Sequence, residues 1–262
     1  MAVFRRLSKS LLRLSRQVTD PLSTEPLVLF DFKTKDDVEN NWRVSSDASF
    51  GGCSSGQVSL VEVMSSSEQQ KEGYCMRFDG IYSREIDRER AHPRLKKSGF
   101  VSMTGRRLDS MDSYMDLECY KSLVYSIRVH PCLQEKGIQQ GERTFLANIR
   151  TDNWVIGGDG ASEDVWQAVL HTTHGQGTAS TPSRLHPSFI DVEIPLSDFI
   201  LTWRGRVVDA PVEIGRTKIT ALGISILGNE DQHEGPFCID VLQIRALHES
   251  DSHITSSLQD QS

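Results

Sequence analysis

The sequence lacks the features that mark several large protein classes. Its five cysteines, Cys53, Cys75, Cys119, Cys132 and Cys238, include no C-x-x-C pair. An odd count at wide spacing speaks against a disulfide framework and against a cysteine zinc site. It fits reduced thiols buried as small apolar residues. The longest nearly uncharged apolar run, Ile219 to Leu227, falls far short of the roughly 20 residues that a membrane-crossing helix needs. No long stretch shows helical periodicity outside the first 19 residues, and no internal repeat is present. There is no G-x-S-x-G elbow, H-E-x-x-H helix or Cys–His signature, so no catalytic set stands out.

Acidic residues are also missing from one place, residues 1 to 19, which hold Arg5, Arg6, Lys9, Arg13 and Arg16. At about 100° per residue, Phe4, Leu7, Leu11, Leu14 and Val18 share one helix face and the basic residues take the other. An Arg-rich, acid-free amphipathic start is the pattern of a mitochondrial transit peptide. Arg13 and Arg16 break any secretory apolar core. Pro21 and Pro26 then read as a linker. The expected organisation is a targeting segment over 1–20, a linker over 21–26, a β-sandwich domain over 27–247 and a disordered tail over 248–262. Setting aside the five basic residues of the first 19 leaves 24 basic against 36 acidic, a net charge of −12. Such a body is a poor match for nucleic acid, whose phosphates demand a basic footprint.

What the body does contain is short β-forming segments between turn residues. Leu27–Phe32, Tyr74–Phe78, Leu123–Val129, 144–150, Trp166–His171, Phe189–Ile194, Lys218–Leu227 and Phe237–Leu247 read as strands. In Leu123–Val129, Leu123, Tyr125, Ile127 and Val129 share a face. One short helix is expected near Lys35–Asn41, with Thr34 as cap and Asp36 and Asp37 at its positive end. Many short strands without alternating helices indicate an all-β sandwich or jelly roll and disfavour a doubly wound nucleotide-binding fold. Trp42, Trp154, Trp166 and Trp203 read first as core residues, and secondarily as a platform for a protein or a sugar.

Three local patterns are weaker than they look. Asp47–Gly56 is glycine-rich like a phosphate loop but lacks the Lys-Ser/Thr ending and a following helix, so it reads as a turn into Gln57–Val63. Gly157-Gly-Asp-Gly160 with Glu163 and Asp164 lacks the spacing of a calcium loop. His171, His174 and His186 lack a further placed ligand for zinc.

The order of segments carries more than any single motif. Phe30-Asp-Phe32 and Trp42 are followed by Ser49-Phe-Gly-Gly-Cys-Ser-Ser-Gly56, Gly99–Met103 and Tyr125–Val129. Then come Trp166, Ile194-Pro-Leu-Ser-Asp-Phe199, Leu222–Leu227 and Gly235-Pro-Phe-Cys-Ile-Asp240. In this combination the chain resembles the complex I intermediate-associated protein 30 family, mitochondrial assembly factors for NADH:ubiquinone oxidoreductase, over residues 27–247. The resemblance implies a galactose-binding-like jelly roll, and the cleavable amphipathic helix read independently at the N-terminus agrees with a mitochondrial address. It also implies a non-catalytic, cofactor-free chaperone on the matrix side of the inner membrane. That chaperone would hold a membrane-arm intermediate of complex I alongside other assembly factors, with peripheral membrane contact. Where family members show Met-Gly-Gly-x-Ser, this chain has Phe50-Gly51-Gly52-Cys53-Ser54. Candidate protein-binding residues are Phe50, Gly51, Gly52 and Ser54, with Trp154 and Asp159 of the Asn153–Asp164 loop. The alternatives are a carbohydrate- or other ligand-binding module, and a chloroplast address.

Overall fold

Alternation of apolar and polar side chains leaves each strand with one face to bury, and two sheets packed on each other satisfy that need. A computed structural model describes residues 25–64, 71–92, 98–106, 114–130, 144–152, 163–172, 180–203, 205–209, 211–227 and 233–248. The N-terminal amphipathic segment and the C-terminal tail lie outside them. In chain order the elements are β1 (Leu27–Asp31), α1 (Lys35–Glu39), β2 (Trp42–Ser46), β3 (Ser55–Met64) and β4 (Lys71–Tyr82). These are followed by β5 (Phe100–Gly105), β6 (Tyr120–Val129), β7 (Phe145–Thr151), β8 (Asp164–Leu170) and β9 (Ser180–Pro182). The chain closes with β10 (Ile190–Pro195), β11 (Ile200–Trp203), β12 (Arg206–Val207), β13 (Ile219–Leu227) and β14 (Gly235–His248).

The first sheet runs β3-β4-β14-β6-β10-β9, with β1 also on β14, and the second runs β12-β11-β8-β7-β13-β5-β2. Every pairing between these strands is antiparallel. The chain crosses between the sheets repeatedly, which gives the jelly-roll type of β-sandwich expected from the segment order. Strand β14 carries two partners along one edge. Gly235–Val241 pairs with β4, and Gln243–Ala246 pairs with β1.

The core lies between the sheets. Met76, Phe78, Tyr125, Ile127, Ile239 and Val241 come from the first sheet. Met103, Ile149, Trp166, Leu170, Leu222 and Ile224 meet them from the second. Trp42 packs edge-on against Phe30 and Phe32, at centroid distances of 5.0 and 5.8 Å. Trp166 is buried and donates Nε1–H to Thr151 Oγ1 at 3.1 Å. Trp203, in contrast, lies exposed at the end of β11. Helix α1 has the expected capping box: Thr34 Oγ1 accepts from the Asp37 N–H, and the Asp37 carboxylate accepts from the Thr34 N–H at 2.7 Å.

The Tyr125 hydroxyl is buried without a hydrogen-bond partner among the described residues, and burial pushes its ionisation well above the usual tyrosine range. Tyr125→Phe keeps the ring and removes the desolvated hydroxyl. Urea unfolding is expected to show a gain of about 1 kcal/mol.

Candidate protein-interaction site

The Asp47–Gly56 turn is built around a carboxylate that faces inward. Ser46 caps a short 3-10 turn over Asp47–Phe50, and Gly51 closes it in the left-handed region at φ 95°. Asp47 Oδ1 accepts from the Ser54 N–H at 2.9 Å. Its Oδ2 accepts from Ser54 Oγ at 3.0 Å, Ser98 Oγ at 2.7 Å, Gly99 N–H at 2.6 Å and Phe100 N–H at 3.2 Å. Ser54 Oγ shares its one proton between Asp47 and the Ser83 carbonyl, 2.8 Å away, and accepts from the Ser83 N–H at 3.1 Å. The segment after β4 then wraps the turn: Asp87 N–H donates to Gly51 O at 2.9 Å and His92 N–H to Phe50 O at 3.0 Å.

This wiring explains the two glycines. A Cβ on Gly51 would overlap the Ala91 backbone, and one on Gly52 would overlap the Asp47 carboxylate and Ser98 Oγ. Gly51 and Ser54 are buried, and Gly52 is half-buried. Phe50, in contrast, is 54% exposed. Of the four candidate residues in the turn, therefore, Phe50 offers its side chain to solvent while the others hold the turn shut. The amides that a phosphate would require are already given to Asp47, whose own charge would repel an anion. The segment is a turn into β3.

The other candidates are dispersed. Trp154 and Asp159 lie outside the described residues, as do His174 and Cys132. Glu163 is paired with Arg106 at 2.6 Å and Arg150 at 3.4 Å, and Asp164 is buried at the start of β8. His186 is buried edge-on against Phe189 at 5.5 Å. The cysteines depart from the expectation of burial. Cys75 is buried, Cys238 is intermediate, and Cys53 and Cys119 are exposed. Cys53 points outward because Ser54, the next residue, takes the inward position.

Sequence reasoning missed a charged network on the outer face of the first sheet. Asp240 of β14 is fully buried and receives Arg77 Nε on Oδ1 at 2.8 Å and Arg128 Nη2 on Oδ2 at 2.7 Å. His130 Nε2 lies 2.6 Å from the same Oδ2. Arg128 also stacks 4.6 Å from the Phe189 ring centroid and donates to Ser188 Oγ at 3.0 Å. Burial alone would raise the Asp240 pKa, but hydrogen bonds from Arg77, His130 and Arg128 hold it below the usual carboxylate value. Nearby Cys75 is pushed up to about 12 by burial, with the Asp240 charge adding to the effect, so its thiol stays protonated. Ligand atoms of His130, Cys238 and Asp240 lie within 4.8 Å of one another, a spacing that could suit a metal. Two guanidiniums already occupy the carboxylate, however, and place positive charge where a cation would sit. The cluster is an ion network. Its signal in the sequence was three charges at outward positions of otherwise apolar strands. Nothing in the chain order says that they meet.

The chain matches the family model described as Complex I intermediate-associated protein 30 over residues 30–241. A curated relative from Drosophila melanogaster, "Complex I intermediate-associated protein 30, mitochondrial", is 24% identical over 220 residues. The alignment covers 82% of this chain and 60% of that protein, so the chain spans about three fifths of the relative's length. Among solved structures, the family 11 carbohydrate-binding module of cellulosomal cellulase Lic26A-Cel5E of Clostridium thermocellum aligns at a TM-score of 0.49 and 15% identity. That alignment covers 86% of this chain and 96% of the module. The module from the same organism in complex with a mixed-linked tetrasaccharide gives 0.48 and 15%, covering 86% and 97%. The family match takes in every strand from β2 to β13, the end of β1 and the first half of β14, and the chain belongs to the Complex I intermediate-associated protein 30 family.

Proposed function

We propose that this protein is a non-catalytic assembly factor that binds a membrane-arm intermediate of respiratory complex I on the matrix side of the inner mitochondrial membrane. The observation that carries this reading is the family match across residues 30–241. The acid-free, Arg-rich segment over 1–19 supports import, and the name of the Drosophila relative carries the same address. The buried carboxylates of Asp47 and Asp240 are saturated by structural donors, which supports a binding role over acid–base chemistry.

A rigid sandwich that fixes a few side chains at its loops binds without a large ordering cost. Phe50 fits this role, because the closed turn beneath it holds an aromatic ring in solvent. Phe50→Ala is expected to weaken association with the intermediate about tenfold, the usual scale for an aromatic anchor. The melting temperature should barely move. An unchanged association would remove Phe50 from the contact.

The reading itself is tested by tagging the C-terminus and resolving solubilised mitochondrial membranes on a native gel, followed by a denaturing second dimension. Co-migration with a subcomplex smaller than mature complex I and containing membrane-arm subunits is expected. Absence from mitochondria, or migration only as a free monomer, would overturn it.

A further inference from the structure

We infer that the outer face of the second sheet is the client-docking surface, and that it takes an apolar polypeptide segment carrying carboxylates. This rests on the assembly-factor reading and names the surface and the chemistry that the reading leaves open. Antiparallel register lines up outward positions across the sheet. One row runs Ile200, Gln167, Asn148, Gly223, Thr104 and Arg43. The next places Val169 opposite Leu146 and Ser225, and a third places Val207, Thr202, Val165 and Arg150 in line.

Three features distinguish this face. First, the chain has 36 acidic and 29 basic residues, yet none of the described outward positions of these seven strands is Asp or Glu. Those outward positions do include Arg43 and Arg150. At the rim, Glu163 is shared between Arg150 and Arg106, which leaves a positive surplus. Second, Val169, Ile200 and Val207 are 45%, 49% and 65% exposed, and they form an uncharged aliphatic side of the face. Third, the floor beside them is low and polar. Asn148 and Ser225 are buried, and Gln167 Nε2 and Ser225 Oγ both donate to Asn148 Oδ1, at 2.8 and 3.3 Å. The outer face of the first sheet is the opposite in character, filled by Arg77, Arg128, Asp191, Asp240 and Arg245 in mutual ion pairs.

An aliphatic strip beside Arg150 and Arg106, two guanidiniums that share the single Glu163 carboxylate, selects against basic partners and favours apolar segments with acidic residues. Half-buried Gln167, beside Ile200 on this floor, favours a polypeptide over lipid tails, because a peptide backbone supplies hydrogen-bond partners that hydrocarbon lacks.

The test compares three variants of the full chain in the native-gel assay: the double variant Val169→Asp with Ile200→Asp, the single variant Val207→Asp, and Ile81→Asp. Ile81 is an exposed aliphatic on the outer face of the first sheet and serves as the control. The double variant is expected to lose co-migration by about tenfold or more, with Val207→Asp in the same direction and Ile81→Asp unchanged. Surface changes of this kind should leave the melting temperature within about 2 °C. If the double variant unfolds, Val207→Asp decides alone. Arg150→Gln should reduce the salt sensitivity of co-migration; an unaltered salt response would overturn the acidic character of the client. Normal co-migration of the double variant would overturn the surface and leave the assembly-factor reading standing. A wild-type chain found in no subcomplex would bring down both. Flotation with phosphatidylcholine–cardiolipin vesicles by the wild type, lost in the double variant, would assign the face to lipid and overturn the polypeptide occupant.

Discussion

Replacing Asp47 by alanine is expected to lower the unfolding free energy by about 4 kcal/mol, because each buried donor left without an acceptor costs roughly 1–3 kcal/mol. Five donors converge on this carboxylate: two from Ser54 and one each from Ser98, Gly99 and Phe100. They come from both sides of β3 and β4, so the loss is felt where the turn, the strand β5 and the segment after β4 meet. A loss of this size takes a large part of a typical stability margin of about 5–15 kcal/mol. It should lower the melting temperature by roughly 10 °C for a domain of this length. Asp47→Asn should be milder. An amide oxygen in the Oδ2 position can still accept from Ser98, Gly99 and Phe100, and the amide nitrogen then faces the Ser54 N–H. The expected order of stability in urea, followed by tryptophan fluorescence, is Asp above Asn above Ala. A change below about 1 kcal/mol in the alanine variant would mean that water replaces the carboxylate and that the turn is not organised by it.

The same residue shows why parts of the structure were legible in the sequence and parts were not. Strand β6 could be read because Leu123, Tyr125 and Ile127 alternate over one buried face. Helix α1 could be read because Thr34 and Asp37 sit at capping-box spacing. Both signals are local. Asp47 could be read only as part of a turn, since Ser98, Gly99 and Phe100 lie about fifty positions on and only the fold brings them to it. Strand β2, Trp42-Arg-Val-Ser-Ser46, was missed because a short serine-rich segment carries little β-signal without its partner β5. Gly105 ends β5 for a tertiary reason, as a Cβ there would overlap the Trp42 ring. Among the tryptophans, Trp42 and Trp166 are core residues as expected. Trp203 departs because β11 pairs on its outer side only with the two-residue β12. The acid-free face of the second sheet was equally hidden. Its outward residues are dispersed over seven strands, and the absence of charge becomes a pattern only once the register is known.

Asp240→Asn is expected to destabilise the protein by about 3–5 kcal/mol at neutral pH, the usual cost of removing one partner from a buried ion network. The asparagine keeps the shape but removes the counter-charge shared by Arg77 and Arg128. Those guanidiniums cannot shed their charge, and the Asp240 carboxylate raises the affinity of Arg77 for its proton further. They would have to reach solvent or stay uncompensated. The pH dependence separates this cause from simple loss of packing. The folded-state pKa of Asp240 lies below its ordinary value near 3.8, because the hydrogen bonds from Arg77, His130 and Arg128 outweigh burial. A depressed carboxylate contributes its stabilisation fully above the unfolded pKa and loses it as pH falls through the folded one. The gap between wild type and Asp240→Asn should therefore be constant from about pH 5 to pH 7, begin to shrink below about pH 4 and close as pH falls through the folded pKa, where wild-type Asp240 becomes neutral too. Urea midpoints measured across that range decide the matter. A gap that persists unchanged at low pH would assign the defect to packing around the substituted side chain and not to the lost charge. A gap that never appears would mean that Arg77 and Arg128, both partly exposed, find water an adequate partner.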